Sequence, residues 1–393
     1  MTTHRQPVGL PSTDDRSAYE DESARRIGRR HAVAFGFARH ALGVLLASAG
    51  LEPGDEVLLS PLTCKVVPLS LLWMGLKPVY VDISWDTLNM DPSCLRAAIR
   101  APAKALVFQH TYGSDLGLNA VAQMASEHGL FVAEDRAHCM PMSDAGASPG
   151  RAGHAAVFSN NLLKPLPAGS GGLVATDDDA LATRVREARD RLPLRTWWQA
   201  HLLRWHDWAH RRVVGPRTYW PLLTAYQRIG ASHRERPIAV EIAGQVANLA
   251  CRPSAFQFKE GLRWLEIVEE VAHHRRLCCA DYAEGLGRGG SSFSVPHMTS
   301  GTPLLYFPVL TKGKRTVLEA ATRRLLQVVA WPGSTPIYPV ERMAALRAYG
   351  YEPGSCPVAE RVATQLLGLP TELSITAVHR RRIVDLITES TPV

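Results

Sequence analysis

Short apolar segments alternate with helical spacers through the first half of this 393-residue chain. Residues 105–108 and 130–134 are apolar, and a helical pattern over residues 121–128 separates them. Parallel strands need a crossover of about this length, usually a helix, whereas antiparallel strands can be joined by a tight turn. The alternation therefore predicts an α/β fold whose mostly parallel sheet is covered by helices on both faces.

An acid and a lysine follow two of the predicted strands. Asp135 ends the apolar run that begins at Phe131, and an open parallel sheet binds ligands just beyond such strand ends. An isolated aspartate there is more often a helix cap or an ion-pair partner. Lys164, however, has only apolar neighbours in Leu162-Leu163-Lys164-Pro165-Leu166, and partial desolvation favours a neutral, nucleophilic amine. Together the two suit pyridoxal 5′-phosphate (PLP): the lysine forms a Schiff base and the acid keeps the pyridine nitrogen protonated.

The same stretch resembles a known protein family. The similarity is carried by Glu134-Asp135-Arg136-Ala137-His138, and by Phe158-Ser159 followed by Lys164-Pro165-Leu166-Pro167-Ala168-Gly169-Ser170-Gly171-Gly172. These residues resemble the DegT/DnrJ/EryC1/StrS group of PLP-dependent sugar aminotransferases of fold type I. The resemblance implies a large domain with a mostly parallel sheet, a smaller α+β C-terminal domain, and a homodimer with active sites at the subunit interface.

The resemblance also implies roles for individual residues. Lys164 would be the catalytic residue and would hold the cofactor. Asp135 would contact the ring nitrogen, His138 would lie near the phenolic oxygen, and Ser159 would contact the phosphate. The other implied cofactor contacts are Ala38, Arg39 and Cys64. Two simpler interpretations stay open: His138 as an ordinary turn histidine and Cys64 as a structural buried cysteine.

Several positions depart from the family pattern. The family has a Gly-Thr pair where this chain has Ala38-Arg39, so a hydroxyl is missing. A ring-stacking aromatic residue is replaced by Cys64, and an asparagine that reaches the neighbouring subunit is replaced by Ala250. Ser170 takes the place of an acid before the glycine pair. These departures suggest an atypical substrate.

The reaction that the resemblance implies is transfer of an amino group to a keto-sugar. Glutamate is the expected donor and the sugar is expected to be nucleotide-linked, in amino-sugar, polysaccharide or natural-product biosynthesis. Lys164 would also move a proton between the cofactor and the substrate carbon. Two alternatives remain open: a PLP-fold enzyme acting on a lipid-linked or non-sugar substrate, and a non-catalytic, membrane-docked regulator with the same fold.

Three regions are expected along the chain. Residues 1–24 are polar and are expected to form a flexible arm. Residues 25–250 form the large PLP-binding domain, with a helical insertion rich in Trp and Arg at about 192–240. Residues 251–393 form a linking helix and the small C-terminal domain.

The insertion has two interpretations. Four of its five tryptophans, Trp197, Trp198, Trp205 and Trp208, fall on one helical arc. Tryptophan stripes are usually buried, which favours a helical hairpin packed against the active site or the partner subunit. The alternative is an amphipathic helix in a membrane interface, with peripheral contact through residues 194–220.

Composition argues against several other classes of protein: disulfide-rich, metal-binding, secreted, membrane-spanning and nucleic-acid-binding. The seven cysteines are scattered and never spaced as C-x-x-C, which predicts no disulfide framework, no metal site and a reducing cytoplasm. The polar N-terminus does not read as a signal peptide, and no apolar run reaches the ~18 residues that a membrane span needs. The net charge of +7 is too mild to indicate a nucleic-acid partner, although it suits a polyanionic substrate.

Overall fold

The computed structural model describes residues 13–99, 102–142, 152–213, 218–221, 238–287, 292–297 and 301–390. Its strands are β1 (His31–Phe35), β2 (Glu56–Leu59), β3 (Thr63–Cys64), β4 (Lys77–Tyr80), β5 (Ala103–Gln109), β6 (Phe131–Asp135), β7 (Ala155–Ser159), β8 (Gly172–Thr176), β9 (Phe293–Ser294), β10 (Tyr306–Thr311), β11 (Ile337–Tyr338) and β12 (Leu366–Pro370). Its α-helices are α1 (Thr13–Ile27), α2 (Ala38–Ser48), α3 (Val66–Trp73), α4 (Pro92–Ala98), α5 (Leu118–Glu127), α6 (Asp179–Asp190), α7 (Trp197–Val213), α8 (Ile238–Leu249), α9 (Ala255–Glu266), α10 (Val268–Leu286), α11 (Lys314–Arg323), α12 (Pro357–Gln365) and α13 (Ala377–Ser390).

The large sheet has seven strands in the order β1-β8-β7-β6-β5-β2-β4. Strands β4, β2, β5, β6 and β7 pair in parallel, while β8 runs antiparallel to both of its neighbours. The predicted α/β class with a mostly parallel sheet is confirmed. Because the side chains of a strand alternate between its faces, Leu59 and Val107 pack towards α2 and α3, and Leu58 and Leu106 pack towards α4 and α5. Both faces are therefore buried.

A second, smaller sheet lies in the C-terminal part of the chain. It has the order β12-β10-β9, is antiparallel, and packs against α10, α11 and α13. The first half of α10 is buried in the core of the large sheet, and its second half is buried in the core of the small one. A short parallel pair, β3 with β11, joins the two parts again. The expected α+β C-terminal part is present, while the boundary at residues 250/251 stays a prediction.

The flexible arm predicted for residues 1–24 is wrong for residues 13–24, which belong to α1. The polar composition conceals a narrow apolar stripe: Tyr19, Ala24 and Ile27 are buried against β1 and α9. The phenol ring of Tyr19 packs so closely on α9 that a Cβ at Gly261 would lie 2.4 Å from it. The first twelve residues lie outside the described ranges.

Candidate active site

The candidate site lies at the carboxyl ends of β6 and β7, where the sequence predicts it. Asp135 is the last residue of β6, and Ser159 is the last residue of β7. Helix α2 begins at Ala38, beside the start of β8, because Gly172 allows a very close approach. A Cβ at Gly172 would lie 2.4 Å from the Cα of Ala38. Since Ser159 pairs with Gly172, the ends of β7 and α2 are neighbours.

The Asp135 carboxyl group is buried and is 7% exposed. Burial raises its pKa. Two weaker effects lower the pKa: the backbone N–H of Ala137 donates to Oδ1 at 3.0 Å, and the positive charge of Lys164 favours the carboxylate. A carboxylate in this position is stabilised by a cation. It is therefore suited to hold a protonated ring nitrogen.

Lys164 lies in the loop between β7 and β8, and the residue as a whole is half-buried. Burial lowers the pKa of the Lys164 amine, although Cys64, Asp135 and Cys139 counter that shift. The lower pKa increases the neutral fraction, which is the nucleophilic form. The charges of Asp135 and Cys64 therefore act on the Lys164 amine.

Asn160 holds the loop that carries Lys164. Its side-chain amide donates to the backbone carbonyl of Leu166 at 3.0 Å. The backbone carbonyl of Asn160 accepts from the N–H of Ala168 at 2.9 Å. Its backbone N–H donates to the carbonyl of Gly171 at 3.1 Å. Tyr19 of α1 donates to Asn160 Oδ1 at 3.2 Å, so the N-terminal helix supports this loop.

His138 is buried against aromatic rings at the same edge of the sheet. The centroid of its ring lies 5.1 Å from that of Trp331 and 6.1 Å from that of Tyr112. Burial, together with the positive charge of Lys164, lowers the pKa of His138 well below its ordinary value. The backbone N–H of Tyr112 donates to Nδ1 at 3.1 Å, so in the neutral ring Nε2 carries the proton. His138 can therefore act as a hydrogen-bond donor.

Cys64 and Arg39 belong to the electrostatic surroundings of the same lysine. Cys64 is partly exposed and interacts electrostatically with both Lys164 and Arg39. Burial lowers the pKa of the Arg39 guanidinium group, whose carbon lies 5.6 Å from the ring centroid of Phe37. Phe37, the N-cap residue of α2, has no side-chain atom that accepts a hydrogen bond from the N–H groups in the first turn of the helix. The start of α2 therefore combines the positive end of a helix dipole with an arginine.

A second arginine, Arg195, reaches the same place and was not predicted from the sequence. Its guanidinium carbon lies 4.8 Å from the Phe37 ring centroid, and Nη2 donates to the Gly36 carbonyl and to Ser170 Oγ, both at 3.2 Å. Burial lowers the pKa of Arg195, and its buried Nε has no partner among the described residues. Gln257 completes the network by donating to Ser170 Oγ at 3.0 Å. The only sequence signal was the missing acid at position 170.

These positions suit PLP. A nucleophilic lysine lies near a buried carboxyl group and a histidine donor, and two arginines flank the amino end of a helix. A mostly parallel sheet with such a lysine and acid at its strand ends is the architecture of a fold type I PLP-dependent transferase. Comparison with known families agrees: the model of the DegT/DnrJ/EryC1/StrS aminotransferase family matches residues 11–388. The chain belongs to this family, which is PLP-dependent, and it is an enzyme that transfers amino groups.

Individual relatives fit the same assignment. The chain is 39% identical over 168 residues to the spore coat polysaccharide biosynthesis protein SpsC of Bacillus subtilis (strain 168), a match that covers 43% of each protein. It is 27% identical over 371 residues to the GDP-perosamine synthase of Caulobacter vibrioides, covering 93% of this chain and 87% of that protein. Among solved structures, DesI in the presence of its TDP-sugar product superimposes with a TM-score of 0.70 at 26% identity, covering 97% and 85% of the two chains.

Proposed function

We propose that the protein transfers an amino group, with glutamate as donor, to the carbonyl carbon of a nucleotide-linked keto-sugar. The names of SpsC, GDP-perosamine synthase and DesI support a role in amino-sugar, polysaccharide or natural-product biosynthesis. The observation that carries the proposal is the Lys164 amine, whose pKa is lowered by burial and which interacts with Asp135. We assign this pair to the two ends of one PLP ring.

Each residue of the site has a proposed role around the ring. Bound PLP supplies an electron sink for the negative charge that develops on the substrate carbon. Lys164 would hold the cofactor covalently, and its Nζ, once displaced by the donor's amino group, would take a proton from the amino-bearing carbon and return one during the transfer. Asp135 would keep the ring nitrogen protonated. His138 would donate from Nε2 to the phenolic oxygen, and Cys64 would provide an apolar contact in place of a stacked aromatic ring.

The phosphate is proposed to lie at the start of α2. Ser159, Ala38 and Arg39 are the contacts expected from the sequence, and the closeness of the end of β7 to the start of α2 supports this proposal. Arg195 adds a guanidinium group that has no carboxylate partner among the described residues. It would replace part of what the family gains from its threonine hydroxyl and its inter-subunit asparagine.

We propose a cytoplasmic homodimer with active sites at the subunit interface, and peripheral membrane contact through residues 194–220. The seven cysteines are all unpaired, which suits a reducing compartment. Within the described ranges, no helix is both long enough and apolar enough to span a bilayer. The exposed tryptophans of α7 favour, as a second candidate substrate, a keto-sugar carried on a lipid.

The test is the visible spectrum of the purified protein, recorded before and after addition of glutamate. The proposal expects a yellow protein that bleaches as the amino group is transferred to the cofactor. Lys164→Ala should remove the visible band, whereas the matched variant Lys65→Ala should keep it, because Lys65 is paired with Glu241 at 2.7 Å. A colourless wild type that binds no PLP would favour a non-catalytic regulator.

A further inference from the structure

Helix α7 has one face against the protein and one face open to solvent. On the inner face, a Cβ at Gly169 would lie 3.2 Å from Cδ1 of Leu203, so α7 packs on the loop that carries Lys164. Asp207, one turn further along, is buried at 4% exposure. These contacts fix the orientation of the helix on the large domain.

The outer face of α7 is aromatic and exposed. The exposed fractions are 57% for Trp197, 53% for Trp198, 55% for Leu202, 63% for Trp205 and 55% for Trp208. These tryptophans are therefore not packed on the described part of their own chain, which leaves the partner subunit or a membrane among the interpretations given from sequence. A contiguous exposed apolar patch of this kind marks an interaction surface rather than ordinary surface chemistry.

The charges around this face select the kind of partner. Arg204 and His206 are exposed at the two margins of the tryptophan arc, as expected for about 100° of rotation per residue. Arg212 lies within the arc, with its guanidinium carbon 5.8 Å from the Trp208 ring centroid. The only acid of the helix, Asp207, is on the inner face. The outer face thus combines indole rings with cations and carries no carboxylate.

We propose that α7 lies in the headgroup region of an anionic lipid bilayer, with its tryptophan face inserted and its arginines on lipid phosphates. Indole rings prefer the boundary between apolar and wet regions, and arginine side chains keep their charge at the headgroup level. At 17 residues, α7 is about 26 Å long, which allows several lipid contacts along one face. This inference extends the membrane contact included in the proposed function by assigning its face and its lipid class, and it does not depend on amino transfer. Because α7 also covers the Lys164 loop, docking would hold that loop near the lipid surface.

The experiment is flotation of the full-length protein with vesicles of phosphatidylcholine alone or mixed with phosphatidylglycerol. Wild type should float with the anionic vesicles and not with the neutral ones. The combined serine variant of Trp197, Trp198, Trp205 and Trp208 should stay at the bottom of the gradient. A matched serine variant of three exposed apolar residues elsewhere, Leu325, Leu373 and Val378, should float like wild type.

Charge is tested separately. Arg204→Gln with Arg212→Gln should weaken the vesicle affinity about fivefold for each arginine. The matched pair Arg315→Gln with Arg323→Gln, both exposed on α11, should have no such effect. Each variant is also checked for visible cofactor absorbance and for sedimentation, so failure of amino transfer is distinguished from failure of docking.

Three results would overturn the proposal. A wild-type protein that does not float with anionic vesicles would show that α7 does not bind an anionic bilayer. A tryptophan variant that floats as well as wild type would show that another surface binds lipid. A tryptophan variant that changes from dimer to monomer, with a wild type that does not float, would assign the face to contact between copies of the chain.

Discussion

Removing one hydroxyl group should both destabilise the protein and loosen its cofactor. The change is Tyr19→Phe. The Tyr19 hydroxyl group is buried and donates to Asn160 Oδ1 at 3.2 Å, and Asn160 in turn holds the Lys164 loop through contacts with Leu166, Ala168 and Gly171. Deleting a donor while leaving its buried acceptor unsatisfied costs about 1–3 kcal/mol. We expect the free energy of unfolding to fall by about 1–2 kcal/mol.

A matched control separates stability from the effect on the site. Tyr80→Phe removes a hydroxyl group that donates to the Tyr349 carbonyl at 2.8 Å. Denaturant unfolding should give similar losses of unfolding free energy for the two variants. Dialysis should release PLP faster from Tyr19→Phe than from Tyr80→Phe. The rate should rise by up to about tenfold for each 1.4 kcal/mol by which the substitution destabilises the Lys164 loop. Equal release rates, or an unchanged unfolding midpoint for Tyr19→Phe, would refute the idea that α1 supports the lysine.

Three further outcomes are expected. Reconstitution of cofactor-free protein with PLP should quicken as pH rises and level off below pH 10.5, because burial lowers the pKa of Lys164 from that ordinary value and the neutral amine attacks; a rate that still climbs at pH 10.5 would contradict this. Arg195→Gln should weaken PLP binding about tenfold or more, since a charged hydrogen bond contributes about 1.5–3 kcal/mol, while the exposed control Arg191→Gln should not. Equal dissociation constants in a fluorescence titration would remove Arg195 from the phosphate site. Gly172→Ala should lower the free energy of unfolding by about 1–3 kcal/mol through overpacking, whereas Gly244→Ala, an open position within α8, should raise it by about 0.5–1 kcal/mol; the opposite order in denaturant unfolding would refute the close packing of β8 on α2.

The main sheet could be predicted from the sequence because its strands are continuous apolar runs bounded by turns. Asp135 and Lys164 could be singled out for a related reason, since a strand end and an apolar neighbourhood are both local features. Their roles remain predictions, as do those of Ser159, His138 and the start of α2. Local patterns were sufficient wherever the neighbours that matter are close in the chain.

Prediction failed where the deciding contacts are distant in the chain. Helix α1 looks like a polar arm because its apolar stripe is narrow, and α9, more than 200 residues later, provides much of the surface that buries the stripe. Arg195 gave no signal by itself, since its importance depends on Ser170 and Phe37 lying beside it in space. The tryptophan arc was recognised, but helical periodicity does not tell which side of a helix meets protein.

The pairing of β3 with β11 links Cys64, which is proposed to face the cofactor ring, to the C-terminal part of the chain. Cys64 is opposite Tyr338 in that ladder, and its two neighbours are also bound: the Thr63 N–H donates to the Pro336 carbonyl at 3.2 Å, and the Lys65 N–H donates to the Tyr338 carbonyl at 2.7 Å. A rigid-body movement of the segment that carries β11 would therefore move position 64 with it. The visible absorbance of bound PLP would then change with the position of the C-terminal part of the chain.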